Sequence, residues 1–156
     1  MIEIDIPVRG LLHLEHTVLD VNGTLALDGR LLPGVAERVA LLRQRVAVPL
    51  VSADTWGTLP ALADELGVQW RRLQSGGEAA QKAATVAALG AARVVAVGNG
   101  ENDAAMLRDA ALGIAVLGGE GTAAACLAAA DIVAPDIIVA FNLLLNPRRL
   151  LATLRA

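Results

Sequence analysis

Four short apolar runs, HTVL at 16–19, VAVPLVS at 46–52, RVVAVG at 93–98 and LGIAV at 112–116, are rich in valine and are separated by stretches of helical length and periodicity. Continuous apolar runs of this kind suit strands buried on both faces. Strands that alternate with helices are joined in parallel, with the helices packed on the sheet. The alternation therefore predicts an α/β fold: a three-layer αβα arrangement around a mostly parallel sheet, with residues 1–156 forming a single domain large enough to bury a core.

The remaining segments fill in this frame. IEIDIPV alternates, with Ile2, Ile4, Ile6 and Val8 on one face, and Arg9-Gly10 supplies a turn, so an N-terminal β-hairpin is expected to feed the central strand. His13 and His16 fall three apart on its second strand. They are expected to point to opposite faces as ordinary strand residues and not as metal ligands. Asp28-Gly29, between TLAL and RLL, is a strong hairpin signal and predicts a small flap. Pro33 suits the first turn of a helix carrying Val35, Val39, Leu42 and Val46. Helices are expected at 57–66 and 78–89, the second opened by a Ser75–Glu78 capping box, with a strand at 68–73 between them. A helix after Asp103, an Ala-rich helix, the strand DIVA and a helical tail broken at Asn146-Pro147 complete the chain.

Composition excludes several classes. The hydrophobic content is 55%, but charges and polar breaks interrupt every apolar run well before the ~18 residues of a membrane span. MIEIDIPVRG lacks the basic region and cleavage pattern of a secretory signal. A net charge of −3, with two Trp, one Phe and no Tyr, leaves little for a basic, base-stacking surface, so no nucleic-acid partner is expected. Cys126, the single cysteine, lies in GTAAACLAAA and is expected to be a small buried residue; its solitude suits a cytoplasmic location.

The chemistry is carried by polar residues at the ends of the apolar runs. Asp20 follows Thr17-Val18-Leu19, Ser52 ends the second run, and the loop GNGEND at 98–103 follows the third. In a parallel sheet these ends share one edge, where open α/β sheets bind their ligands. Lys82 joins them about one turn into its helix, and it is the only lysine among 13 basic residues. An ionised Asp can attack phosphorus, a compact ammonium can neutralise the charges that meet there, and a serine hydroxyl can donate to phosphate oxygens. The acidic loop offers only oxygen ligands, which favours Mg²⁺. GNGEND also follows a strand as a dinucleotide fingerprint does, but the third glycine of G-x-G-x-x-G would be Asp103, whose charge would repel a pyrophosphate.

Together, D-V-N-G-T at 20–24, Ser52 in S-A-D, the isolated Lys82 and G-N-G-E-N-D at 98–103 resemble the four motifs of the haloacid dehalogenase-like (HAD) superfamily. They are most similar to the phosphorylation domain of P-type ATPases and to small soluble proteins like it. The resemblance runs from Asp20 to about residue 117 and implies a Rossmann-like HAD core. It implies that Asp20 is the nucleophile, that Lys82 bridges Asp20 and phosphate, and that Thr24, Ser52, Ala53 and Asn102 shape or line the phosphate site. Asp20, Asn22, Asn99 and Asp103 would hold Mg²⁺, with Glu101 an alternative in the last motif.

The chain departs from the family pattern at two positions, both from acid to amide. Asn22 stands where most HAD phosphatases carry a second Asp as acid/base, and an amide cannot exchange a proton near neutral pH. Asn99 stands where a carboxylate normally serves the metal. The expected activity is therefore an ATPase- or phosphatase-like hydrolase, slow on alkyl phosphates, acting on a phosphorylated small molecule or nucleotide. The alternative is a catalytically impaired phosphate- or nucleotide-binding module. A response-regulator-like phospho-acceptor fits less well, because no paired acid stands on the first strand. The stretches 21–51 and 53–81 are filled by the expected elements, leaving no room for a cap domain. The open site could then be covered by a second subunit of a homo-oligomer.

Overall fold

The computed structural model describes residues 1–7 and 9–155. Its strands are β1 (Ile2–Ile6), β2 (Gly10–Leu14), β3 (His16–Leu19), β4 (Ala26–Leu27), β5 (Arg30–Leu31), β6 (Leu50–Ser52), β7 (Trp70–Arg72), β8 (Val94–Gly98), β9 (Leu112–Val116) and β10 (Ile132–Ala134). Its helices are α1 (Val35–Leu42), α2 (Leu59–Leu66), α3 (Glu78–Ala88), α4 (Ala104–Asp109), α5 (Ala124–Ala129), α6 (Ile137–Leu145) and α7 (Pro147–Leu154). Six parallel strands form the central sheet in the order β10-β9-β8-β3-β6-β7. The chain starts this sheet in its middle with β3, adds β6 and β7 on one side, then returns to add β8, β9 and β10 on the other. Such a reversal opens a crevice at the carboxyl ends of the strands on either side of it.

Successive strand residues point to opposite faces, and the core divides accordingly. Val18, Val51, Ala96 and Ala115 pack with Val86 of α3, Met106 and Leu107 of α4 and Cys126 of α5. Leu19, Leu50, Val95, Val97 and Ile114 pack with Val35 and Leu42 of α1, Leu62 of α2 and Phe141 and Leu144 of α6. The result is the expected three-layer αβα arrangement, without a cap among the described residues. Cys126 is buried, as expected of a small core residue.

The N-terminal hairpin forms between β1 and β2, with Ile2, Ile4 and Ile6 buried and β1 packed against α7; Val8 lies outside the described residues. The flap forms as β4 and β5, with Asp28 and Gly29 at φ 50° and 76° as a two-residue turn requires. Among the described residues no single helix is long and apolar enough to cross a membrane, and α6 and α7 bend by 103° at Asn146-Pro147.

Four local expectations are corrected. His13 and His16 belong to different sheets, because Glu15 leaves the hairpin ladder: its N–H donates to Arg93 and its carbonyl accepts from Ala47. The run 46–52 is paired as a strand only over Leu50–Ser52; Pro49 has no N–H to give the ladder, and Ala47 makes a single bridge to His16. Pro33 stands outside α1, whose N-cap is Gly34 at φ 83°, and the helix ends at Leu42, short of Val46. The Ser75–Glu78 capping box does not form. Gly76 and Gly77 take φ 84° and 72°, so Gly77 becomes the N-cap of α3 and Glu78 accepts instead from the Gly76 N–H.

Gly113 of β9 faces the backbone carbonyl of Leu107, so any Cβ there would strike main chain. Gly113→Ala is expected to destabilise the protein by about 1–3 kcal/mol or more, as overpacking against an unyielding neighbour does. Urea unfolding measures this, and an unchanged midpoint would contradict the close α4–β9 packing.

Candidate active site

Three adjacent strands deliver the central residues. Asp20 directly follows β3, with its N–H bonded to Val97 of β8 at 3.0 Å. The next turn is tight: the Val21 carbonyl accepts the N–H groups of Thr24, Leu25 and Ala26, and Gly23 sits at φ 76°. Ser52 ends β6 on one side of β3, and Asn99 follows β8 on the other. Asp20, Asn22, Ser52, Ala53, Lys82, Asn99, Asn102 and Asp103 line one cavity of about 200 Å³, together with Thr55, Gly100 and Glu120. A second cavity of about 260 Å³ lies at the amino-terminal edge of the sheet, against His16, Arg43 and Pro49, and no carboxylate lines it.

Lys82 is the hub of the site. Its ammonium lies 2.6 Å from Asp20 Oδ1, 2.5 Å from Asp103 Oδ1 and 3.1 Å from Asn102 Oδ1, and all of its side chain but 1% is buried. Burial alone would lower the Lys82 pKa, but the Asp20 and Asp103 carboxylates outweigh it and hold the ammonium above the usual lysine value. The other Asp103 oxygen accepts the N–H groups of Asn99 at 2.9 Å and Gly100 at 2.8 Å. Gly98 is required here, because a Cβ would collide with the Asp103 carboxylate. Asp103 thus acts on the site through Lys82 and the loop backbone, with both oxygens taken inside the protein.

Asp20 Oδ2 lies 3.0 Å from the Thr24 hydroxyl, and Asn99 Oδ1 lies 3.0 Å from the same hydroxyl. Asn99 is oriented by donating its Nδ2 to the Gly121 carbonyl at 3.0 Å. Burial, reinforced by the Asp103 charge and opposed by Lys82 and the Thr24 hydroxyl, raises the Asp20 pKa to about 6. Two oxygens, one charged and one neutral, therefore converge beside Thr24. Oxygen donors alone suit a hard divalent cation such as Mg²⁺. Among the described residues, however, no three His, Cys, Asp or Glu side chains gather to hold a metal ion.

Ser52 Oγ accepts the Asp54 N–H at 3.0 Å, with Asn22 Nδ2 at 3.5 Å, which leaves its own proton available to donate. Asp54 is a cap and brace: its carboxylate accepts the Leu59 N–H at 2.8 Å and pairs with Arg72 at 2.5 Å. Thr24 stands behind the cavity wall and not in it. Glu101 lines an adjoining depression with Gly77, Glu78 and Ala79, which shares Gly100 and Asn102 with the Asp20 cavity but does not include Asp20. Thr55 and Glu120 were not singled out by the sequence. The available signal for Glu120 was its place in GGEG, a loop directly after β9 and so on the same edge of the sheet.

No protein-family model matches the chain. It is 48% identical over 63 residues to the uncharacterized protein MJ0073 of Methanocaldococcus jannaschii, a match covering 40% of this chain and 68% of that protein. MJ0072 of the same organism is 47% identical over 38 residues, covering 24% and 86%. A third relative, the copper-transporting ATPase HMA5 of Oryza sativa subsp. japonica, is 35% identical over 132 residues, which is 80% of this chain but 13% of that protein. Among solved structures, the cobalt-bound deoxy-D-mannose-octulosonate 8-phosphate phosphatase of Haemophilus influenzae aligns with a TM-score of 0.72 at 13% identity, covering 92% of this chain and 94% of that one. The Moraxella catarrhalis enzyme in complex with magnesium, phosphate and KDO aligns with a TM-score of 0.67 at 17% identity, covering 90% of each. A putative HAD family hydrolase from Streptomyces avermitilis gives 0.62 at 21% identity, covering 80% of this chain and 79% of that one. The fold is thus that of HAD-superfamily hydrolases.

The raised Asp20 pKa makes a stability prediction. Folded Asp20 takes up its proton near pH 6 and unfolded Asp20 near 3.8, so this group's contribution to stability falls as pH rises through that window. Asp20→Asn removes the buried charge. It is expected to stabilise the protein by about 1–3 kcal/mol at pH 7.5, with the gain vanishing below about pH 4. Urea unfolding of both proteins across this range tests it; a variant less stable at pH 7.5 would contradict the assigned burial cost.

Proposed function

The chain belongs to the family of the Methanocaldococcus jannaschii proteins MJ0073 and MJ0072, and we propose that it is a Mg²⁺-dependent phosphohydrolase or phosphotransferase acting through an aspartyl-phosphate at Asp20. The observation that carries this reading is the buried Asp20 carboxylate held by Lys82 at the switch point of the sheet, with Ser52 on the neighbouring strand. An Asp20 oxygen attacks phosphorus, and the bond to the leaving group breaks with its electron pair. Lys82 offsets the charge of Asp20 and of the incoming phosphoryl group, and Ser52 donates its hydroxyl proton to a phosphoryl oxygen. Water then attacks the phosphorus of the aspartyl-phosphate, releasing phosphate and restoring Asp20.

Asp20 and Asn99 would hold the cation beside Asn22, with Asp103 fixing the loop that carries Asn99. Mg²⁺ bound there would neutralise charge on the transferring phosphoryl group. Asn22 cannot protonate a departing alkoxide, and loss of a positioned acid typically costs ~10²- to 10⁴-fold. The favoured substrates are therefore those whose leaving group departs without a proton: nucleoside triphosphates, acyl phosphates and aryl phosphates. Similarity to a copper-transporting ATPase supports the first of these. A cavity of about 200 Å³ accommodates the phosphoryl end of such a substrate, with the remainder outside, since no cap stands over it among the described residues.

Incubation with Mg²⁺ and acetyl phosphate, ATP or p-nitrophenyl phosphate, followed by acid quench and peptide mass spectrometry, is expected to show a phosphoryl adduct on Asp20 and none in Asp20→Asn. Asn22→Asp is expected to raise hydrolysis of alkyl phosphates by about 10²- to 10⁴-fold. Phosphate or nucleotide binding with neither adduct nor turnover would favour an impaired binding module instead.

A further inference from the structure

The loop between β9 and α5 is strapped to the site from two sides. Gly118 lies against the Gly23 carbonyl, so closely that a Cβ on Gly118 would collide with it. The Gly121 carbonyl accepts Asn99 Nδ2, and the Ala123 N–H donates to the Asn99 carbonyl at 2.9 Å. These contacts place Glu120 on the cavity wall. Its Oε2 and Asn99 Nδ2 come within 2.8 and 2.5 Å of the single point where a Gly23 Cβ would stand. Gly23 must be glycine for both side chains to lie there. Glu120 is exposed and has no hydrogen bond or ion pair among the described residues.

The charge balance gives this position its meaning. Asp20 and Asp103 against Lys82 leave one net negative charge around the cavity, and position 99, beside the oxygens that converge on Thr24, is a neutral amide. A divalent cation there has one buried carboxylate, Asp20, with an oxygen not already held by Lys82. Glu120 brings a second carboxylate to the cavity wall, on the Nδ2 side of the Asn99 amide, from which its exposed side chain can turn toward a cation at Asn99 Oδ1.

We propose that Glu120 is a metal-binding residue of this site: its carboxylate supplies to the divalent cation the negative charge that Asn99 does not. The inference rests on the proposed use of a divalent cation at Asp20. It does not depend on whether Asp20 becomes phosphorylated. Glu120 is not confined by packing, so its side chain can close on a cation held at Asp20 and Asn99.

Calorimetric titration of the substrate-free protein with Mg²⁺ and Mn²⁺ tests this without reference to activity. Glu120→Gln is expected to weaken binding by about 10- to 100-fold, as loss of a supporting acid at a metal site does. Glu101→Gln, which removes the same charge from the neighbouring depression, is expected to weaken it by less than about 3-fold. Moving the carboxylate back, with Asn99→Asp added to Glu120→Gln, is expected to restore most of the affinity. Equal losses for Glu120→Gln and Glu101→Gln, no rescue by Asn99→Asp, or no cation binding by the wild-type chain would each overturn the proposal. Cation binding that depends on Glu120, with no adduct on Asp20, would instead leave the proposal standing and remove the phosphotransfer reading.

Discussion

The ammonium of Lys82, buried between the carboxylates of Asp20 and Asp103, is the interaction on which the site depends. Without it two carboxylates would stand buried side by side with no cation between them, and the two carboxylates in turn hold Lys82 charged against its burial. Its consequences spread outward. Asp103, fixed by Lys82, receives the N–H groups of Asn99 and Gly100 and so sets the loop after β8. Asn99, set by that loop, reaches Thr24 and Gly121, tying the turn after Asp20 to the loop after β9. The α3 helix is thereby linked electrostatically to the carboxyl ends of β3 and β8.

Much of this was legible in the sequence. The short valine-rich runs read best as buried strands, and their alternation with helices brings residues 19, 52 and 98 onto one edge of a parallel sheet. Lys82 was visible because one lysine among arginines is conspicuous beside an anionic centre. What escaped were features decided by backbone geometry. Gly76-Gly77 displaced the Ser75–Glu78 cap by adopting left-handed conformations, which the S-x-x-E spacing cannot reveal. Pro49 shortened a run whose hydrophobic pattern was intact. Glu120 was missed because its relevance comes from the contact of Gly118 with Gly23, between residues that the sequence gives no reason to pair.

The two amides divide the chemistry of the site. Asn22 lies toward Ser52, and in the proposed reaction it would bear on how a leaving group or water handles its proton. Asn99 lies toward Gly121, and in the proposed site it would bear on how much negative charge a cation meets. With Glu120 assigned as proposed, only the second is compensated, by a carboxylate on a neighbouring loop. Asp54, the remaining acid near Ser52, is committed to capping α2 and to Arg72. In the proposed reaction, formation and breakdown of a phospho-enzyme are thus separable demands, and the residues present would favour the first.

The most direct measurement is the stability of Lys82→Met alone and with Asp103→Asn, by urea unfolding at pH 7.5. Loss of Lys82 leaves two carboxylates buried side by side, and about 3–5 kcal/mol is expected to be lost. Removing one of the two charges in the double variant is expected to recover much of it. A Lys82→Met protein with wild-type stability, or a double variant no more stable than the single, would contradict the central place of this buried triad.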